Sequence, residues 1–207
     1  MKKLTGIICG IMMLAGSSLY AEAPIAAGTL ELGIGKVVSY DRMWNDDMTF
    51  NQIVIGTYAD TYDHASADFS APVFGIAYFV ADGLALGLNA GFYYYKNDQL
   101  TNPSQGVFVA PGIKFYVPLS EGLLVDAHGS FGYFSSDDGA LEQETTGMTF
   151  ELGLGLNILV TQQFAVVLGF DYTYMTDYEV DGEKVADTAM SGIGVSLGFK
   201  TFISMNQ

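Results

Sequence analysis

The sequence predicts an all-β fold: an eight-stranded antiparallel up-and-down transmembrane β-barrel with short periplasmic turns and long extracellular loops. In segment after segment, a large apolar residue alternates with Gly, Ala, Ser or an ionisable residue. Short turns also alternate with long acidic loops. Beyond the N-terminus, no run approaches the roughly 18 apolar residues that a membrane-spanning helix needs. This pattern suits a sheet with lipid on one face and a narrow lumen on the other.

The N-terminus predicts export. Lys2 and Lys3 precede an apolar run and the Leu-Tyr-Ala sequence at 19–21, which is the layout of a cleaved signal peptide. The single cysteine, Cys9, lies within this peptide. We therefore expect a mature chain without disulfides, thiol catalysis or thiolate metal ligands. The predicted segments are the signal peptide (1–21), a short periplasmic N-terminal segment (22–28), the barrel (29–203) and a C-terminal tail (204–207).

The chain is strongly acidic. Its formal net charge of -15 becomes -17 once the signal peptide is removed, because that peptide contains two lysines and no acid. Such a surface repels phosphate groups, so we expect no nucleic acid partner.

The first four predicted strands place bulky apolar residues on one face and small or polar residues on the other. A short turn at 81–83 joins the second strand to the third, and a loop at 97–105 leads to the fourth. Lys36 falls in the lipid-facing phase, so either it snorkels to the interface or a glycine-assisted bulge shifts the register. The strands and their outward residues are 29–40 (Leu30, Leu32, Ile34, Val38, Tyr40), 70–80 (Phe74, Ile76, Tyr78, Val80), 84–95 (Leu84, Leu86, Leu88, Ala90, Phe92, Tyr94) and 107–117 (Val107, Val109, Ile113, Phe115, Val117).

The last four predicted strands repeat the alternation. Short turns at 118–122 and 161–163 alternate with acidic loops at 135–147 and 176–188, so three short turns lie on one side and four long loops on the other. In outer-membrane barrels the short turns face the periplasm. The strands and their outward residues are 123–133 (Leu123, Val125, Ala127, Gly129, Phe131, Tyr133), 148–158 (Met148, Phe150, Leu152, Leu154, Leu156, Ile158), 164–174 (Phe164, Val166, Leu168, Phe170, Tyr172, Tyr174) and 192–200 (Ile193, Val195, Leu197, Phe199).

A soluble barrel also alternates and closes without edges. An eight-stranded barrel, however, has an interior just wide enough for side chains. The bulky face of these strands does not fit inside it, which favours the membrane barrel.

With these strands, the chain resembles the small eight-stranded outer-membrane barrels of the OmpA-transmembrane and OmpX type. The resemblance is one of architecture over the mature chain, without a catalytic signature, and it implies a location in the bacterial outer membrane among lipopolysaccharide and phospholipid. The segment 192–199 is similar to the C-terminal assembly signal of that family. Eight residues follow Phe199, so either Phe199 or Phe202 ends the last strand.

Ionisable residues on the inward phase predict a polar network in the lumen. We expect the two lysines of this set to bridge carboxylates, because lone buried charges must be paired. The network either fills the lumen and holds the strands in register or lines a gated ion path. Its predicted members are Glu31, Lys114, Asp126, His128, Glu151, Asp171 and Lys200.

The sequence His128-Gly129-Ser130 is similar to the His-x-Ser pair of eight-stranded barrels that hydrolyse lipid A. Both His128 and Ser130 fall on the inward phase, away from the membrane, and that face offers no clear partner acid. We therefore predict no catalytic residue, and likewise no cofactor and no protein metal centre.

The loops hold most of the remaining charge. Calcium or magnesium is a candidate bridge between loop carboxylates, although no Asp-x-Asp-x-Asp-Gly loop is present. The first loop, 41–68, contains a strand-like run at 50–58 that we expect to extend the first hairpin beyond the membrane. The predicted loop-surface residues are Trp44, Asp46, Asp47, Asp137, Asp138 and Asp181.

The leading hypothesis is a non-enzymatic outer-membrane barrel that contributes to envelope structure. Its acidic loops would present a surface for adhesion to an extracellular protein or matrix ligand. The alternative is a narrow channel for ions or small solutes, and the third hypothesis is a lipid A-modifying hydrolase.

Overall fold

The computed structural model describes residues 24–46, 49–55, 73–95, 104–138 and 143–205. No helix in these parts of the chain is long and apolar enough to cross a membrane. The described strands are β1 (Thr29–Trp44), β2 (Thr49–Ile55), β3 (Val73–Ala81), β4 (Leu84–Tyr95), β5 (Ser104–Ser120), β6 (Leu123–Asp138), β7 (Gln143–Leu159), β8 (Phe164–Met175), β9 (Glu179–Val180), β10 (Glu183–Lys184) and β11 (Met190–Ser204).

Eight of these strands close into a barrel. The ring runs β1-β3-β4-β5-β6-β7-β8-β11 and returns to β1, and every pairing around it is antiparallel. Sequential neighbours pair throughout, so the topology is up-and-down and closure leaves no free edge. The predicted fold class is confirmed. The predicted signal peptide lies outside the described residues and stays a prediction.

The outer surface of the barrel is the predicted bulky face. Phe92 and Leu152 are 68% and 65% exposed, and Phe131 packs beside Phe150 with ring centroids 5.0 Å apart. Water around such a surface would be unfavourable by roughly 25 cal/mol per Å² of apolar area. A hydrocarbon solvent around the barrel removes this cost.

Lys36 lies in a bulge of β1. Ile34 pairs with Phe199 and Val38 pairs with Leu197, so β1 advances four residues where β11 advances two. Lys36 itself has a left-handed backbone with φ of 55°, and its ammonium lies 3.2 Å from a carboxylate oxygen of Glu151 inside the barrel. Of the two alternatives for Lys36, the bulge is correct.

Several strands continue past their predicted ends on the loop side. β1 reaches Trp44, and its upper part pairs with β2, which includes most of the strand-like run predicted in the first loop. β6 and β7 pair as far as Asp138 with Gln143, so the predicted loop at 135–147 is wrong for most of its length. The apolar alternation ends before the strands do, because backbone pairing continues through polar residues such as Ser135 and Thr146.

The turn end of the lumen is closed by an apolar cluster that we call the plug. Its residues are fully or almost fully buried, and Ile25 of the N-terminal segment packs against them. The segment is fixed to the β3–β4 turn, since Ala27 N donates to Asp82 Oδ1 (2.9 Å) and Gly83 N to Ile25 O (2.7 Å). The plug consists of Ala77, Phe79, Ala85, Tyr116, Leu124, Leu159, Ala165 and Phe202.

The last strand passes both of its proposed ends. Phe199 points outward and stacks on Phe164 at 5.8 Å, whereas Phe202 points into the plug and is 1% exposed. Pairing with β1 continues to Ser204, opposite Thr29. Neither aromatic residue ends β11, because the plug and β1 both engage the chain beyond them.

Phe202→Ala should lower the free energy of unfolding by about 3–5 kcal/mol, because it leaves a cavity in a packed cluster. Phe199→Ala on the same strand is the matched control and should cost less than half as much, because acyl chains fill the vacated space. Urea titration in lipid vesicles measures both. Equal losses would contradict the assignment of the two residues to opposite faces.

Candidate functional site

The inward ionisable residues meet in the lumen above the plug. The structure brings all seven predicted residues into one network of ion pairs and hydrogen bonds, and it adds Lys36, Tyr116 and Asn157. The seven residues come from six strands: β1 (Glu31), β5 (Lys114), β6 (Asp126, His128), β7 (Glu151), β8 (Asp171) and β11 (Lys200).

The part of the network nearest the plug is centred on Glu31, which is 1% exposed. Lys114 Nζ lies 2.7 Å from Glu31 Oε1, and the Tyr116 hydroxyl donates to Glu31 Oε2. Lys200 Nζ donates to the Tyr116 oxygen at 2.8 Å. Sequence reasoning missed Tyr116, although its position two residues after Lys114 puts it on the same inward face.

The part nearer the loops is centred on Asp126 and His128. Asp126 Oδ2 accepts from Lys200 Nζ at 2.9 Å and from Asn157 Nδ2 at 2.6 Å. Asp126 Oδ1 lies 2.8 Å from His128 Nδ1, and Asp171 Oδ1 lies 3.0 Å from His128 Nε2. The imidazole therefore bridges two carboxylates from β6 and β8.

Glycines make room for these long side chains. A Cβ on Gly155 would lie 2.3 Å from Asp126 Oδ2, and a Cβ on Gly153 would lie 2.3 Å from both His128 Nε2 and Asp171 Oδ1. The small residues of the inward phase therefore accommodate the charged network.

His128 and Ser130 both face the lumen, as their phase predicts. The expectation that this face offers no partner acid is wrong, because the two ring nitrogens of His128 are directed at the carboxylates of Asp126 and Asp171. Neither nitrogen is directed at the Ser130 hydroxyl, and the membrane lies on the other side of the sheet. This arrangement does not present a His-Ser pair to lipid.

The predicted loop-surface residues lie in four different settings. Trp44 ends β1 opposite Ser191, and Asp46 lies in an exposed bend. Asp137 and Asp138 are wrongly predicted as loop residues, because they end β6 and pair with β7. Asp181 lies at a hairpin turn, and Asp47 falls outside the described residues.

The fourth loop contains the hairpin β9–β10, which sequence reasoning missed. Asp181 and Gly182 have φ of 51° and 79°, which suits a two-residue type I′ turn. Asp181 N donates to Glu144 O (2.8 Å), and Glu144 N donates to Asp181 Oδ1 (3.0 Å), so the hairpin is fixed to β7. The Asp-Gly pair between two short polar runs was the available signal.

Asp177 ties the ends of this loop together. Its carboxylate accepts from Thr188 N (3.1 Å) and Ala189 N (2.9 Å) and lies 3.2 Å from Lys184 Nζ. The hydrogen bond from Lys184, with help from the two amides, holds the pKa of Asp177 below its usual value. The Asp177 carboxylate therefore stabilises the loop through contacts within it.

Comparison with known proteins identifies the fold. No protein-family model matches the chain, and no curated protein matches it. Among solved structures, the chain is similar to Neisserial surface protein A, with 13% identity, a TM-score of 0.53 and coverage of 84% of this chain and 97% of that one. It is also similar to the outer membrane protein AlkL, solved in DMPC bilayers, with 14% identity, a TM-score of 0.52 and coverage of 91% and 96%.

These likenesses concern the fold, and they confirm the predicted resemblance to small eight-stranded outer-membrane barrels. The exposed apolar belt of this chain independently requires a lipid solvent. Closed antiparallel barrels with short turns and a lipid-facing apolar band are the architecture of the bacterial outer membrane. The chain is therefore an outer-membrane β-barrel protein.

Lys200→Met should lower the free energy of unfolding by about 3–5 kcal/mol, because it leaves the Asp126 carboxylate without its buried ammonium partner. Lys184→Met is the matched control: Lys184 also pairs with an aspartate, but its side chain is 66% exposed against 12% for Lys200. The control should leave urea unfolding unchanged. Loss of stability in both variants, or in neither, would contradict the conclusion that the buried ion pair of Lys200 stabilises the barrel.

Proposed function

We propose that this protein is a non-enzymatic outer-membrane barrel that contributes to envelope structure and presents an acidic, strand-supported rim to a basic extracellular partner. The observation that carries the proposal is that the lumen is closed at its turn end by the plug. The charged groups above the plug are paired with one another. The groups left to meet a partner are those of the loop rim.

The rim consists of the loop-side ends of β6 and β7 together with β9 and β10. It combines charge with a fixed shape. The β6–β7 hairpin and β9–β10 project together, and Asp181 joins them through the Glu144 backbone. Glu179, Glu183 and Asp187 are exposed on this unit. Lys184 is the basic residue of β10, and it pairs with Asp177, so the exposed charge of this unit is mainly negative. A surface of mainly negative charge favours association with a basic surface. Its expected ligands are a basic segment of an extracellular protein or matrix component, and divalent cations as bridges.

Substituting both Glu179→Gln and Glu183→Gln should weaken binding of fluorescent poly-lysine about threefold, because two rim charges are removed. The matched control is Asp82→Asn with Glu121→Gln, which removes two exposed charges from the turn side. Binding is measured by fluorescence anisotropy on phosphatidylcholine nanodiscs, which expose both sides of the barrel. Equal weakening in the two variants, or no weakening in the rim variant, would remove the rim as the contact surface.

A narrow channel is the second candidate, and the charged groups across the lumen are the observation that favours it. Ions would have to pass the ring cluster of Phe79, Tyr116 and Phe202, whose centroids are 5.3 to 6.3 Å apart. An apolar closure of this kind opposes ion passage because a permeating ion would lose its hydration shell.

Purified folded protein in planar lipid bilayers should therefore show no conductance steps. Boiled protein and detergent alone serve as controls for non-specific leaks. Reproducible unitary steps from the folded protein, absent from both controls, would favour the channel over the envelope role.

A further inference from the structure

We propose that the lumen contains a binding site for one divalent transition-metal ion of the zinc class, with His128, Glu151 and Asp171 as its ligands. Each residue offers one ligand atom, and the three atoms all lie within 4.8 Å of one another. The residues come from the adjacent strands β6, β7 and β8, where pairing fixes their spacing. This site is independent of the function proposed for the rim.

The distances suit a small four-coordinate ion. His128 Nε2 lies 3.0 Å from Asp171 Oδ1 and 3.9 Å from Glu151 Oε1. Bonds of about 2.0–2.2 Å around a tetrahedral zinc ion separate neighbouring ligand atoms by about 3.4 Å. These two separations therefore reach this value after movements of about half an ångström, and the ligand atoms of Glu151 and Asp171 lie within 4.8 Å of each other. A water molecule would complete the four ligands.

The surrounding residues orient the imidazole as metal sites do. Histidine ligands in proteins commonly use their other ring nitrogen to bond a carboxylate. His128 Nδ1 lies 2.8 Å from Asp126 Oδ1, and Asp126 is itself held by Lys200 and Asn157. A doubly protonated imidazole donates to both Asp126 and Asp171. In the neutral ring with its proton on Nδ1, the Nε2 lone pair faces the Asp171 oxygen, and a bound cation takes the place of the second proton between these two atoms.

Two further features position the ligand atoms. A methyl group at Gly153 would fall 2.3 Å from both His128 Nε2 and Asp171 Oδ1, so the absence of a side chain there allows these two atoms to lie close together. Lys36 lies 3.2 Å from Glu151 Oε2, whereas the other oxygen, Oε1, faces His128. The lysine therefore fixes the carboxylate without occupying its ligand atom.

The donor set selects the class of ion. Imidazole nitrogen favours zinc, copper, nickel and iron, whereas magnesium and calcium prefer sites made of oxygen alone. One imidazole with two carboxylates matches zinc and its neighbours. The network also contains four carboxylates (Glu31, Asp126, Glu151, Asp171) against three lysines (Lys36, Lys114, Lys200), so extra positive charge is accommodated.

The test is metal titration of the full folded protein in detergent micelles. Calorimetry with Zn²⁺ should give one site per chain, and Co²⁺ should give visible absorption bands typical of four-coordinate nitrogen and oxygen ligation. His128→Gln should weaken Zn²⁺ binding at least tenfold and remove the Co²⁺ bands. Asp171→Asn, which preserves size, should do the same. Heat-modifiable gel migration shows that each variant is folded.

The chain provides a matched control in its second histidine, His64. His64→Gln should leave both titrations unchanged, and so should Asp177→Asn, which removes a loop carboxylate. Retained binding in folded His128→Gln and Asp171→Asn, or loss of binding in either control, would assign the metal to the loops and overturn the lumen site. Failure of the wild-type protein to bind either metal would overturn it as well.

Discussion

Every charge buried in the lumen needs a partner, and the pairs that cross the barrel organise the structure. Glu31 on β1 pairs with Lys114 on β5, which is three places away around the ring. Lys200 on β11 pairs with Asp126 on β6, also three places away. Hydrogen bonds between neighbouring strands close the sheet, whereas these cross-lumen pairs connect its opposite walls. The network thus resists flattening of the barrel, which backbone pairing alone does not oppose.

The alternation of residue size makes the fold and most of the network predictable. A face of Leu, Phe and Tyr cannot fit inside eight strands, so the orientation of each strand follows from its sequence. The plug could not be predicted from the alternation of residue size. Phe79, Leu124 and Phe202 stand on the inward face as single bulky residues among small ones. Their meeting depends on the relative register of several strands, which a single strand does not reveal.

Two other differences arise from backbone geometry. The bulge at Lys36 adds residues to β1 and has a left-handed backbone. The glycines near Lys36 made a bulge one of two predicted alternatives, but the sequence did not show which of them was correct. The strands also continue beyond the apolar alternation, because Ser135 and Thr146 pair through the backbone regardless of side-chain polarity. Side-chain pattern therefore locates the membrane-spanning part of a strand, and pairing with its neighbours determines where the strand ends.

The composition of the network singles out His128. Each of its three lysines is paired with a carboxylate, whereas the ion pair of Asp171 among the described residues is with His128. Removing a lysine leaves a carboxylate without its ammonium partner. Imidazole is the side chain whose charge changes most readily near neutral pH and whose nitrogen also ligates metals. His128 connects Asp126 to Asp171 and approaches Glu151, so it links three of the four acids. A proton or a metal ion at His128 therefore changes the charge next to all three of these acids.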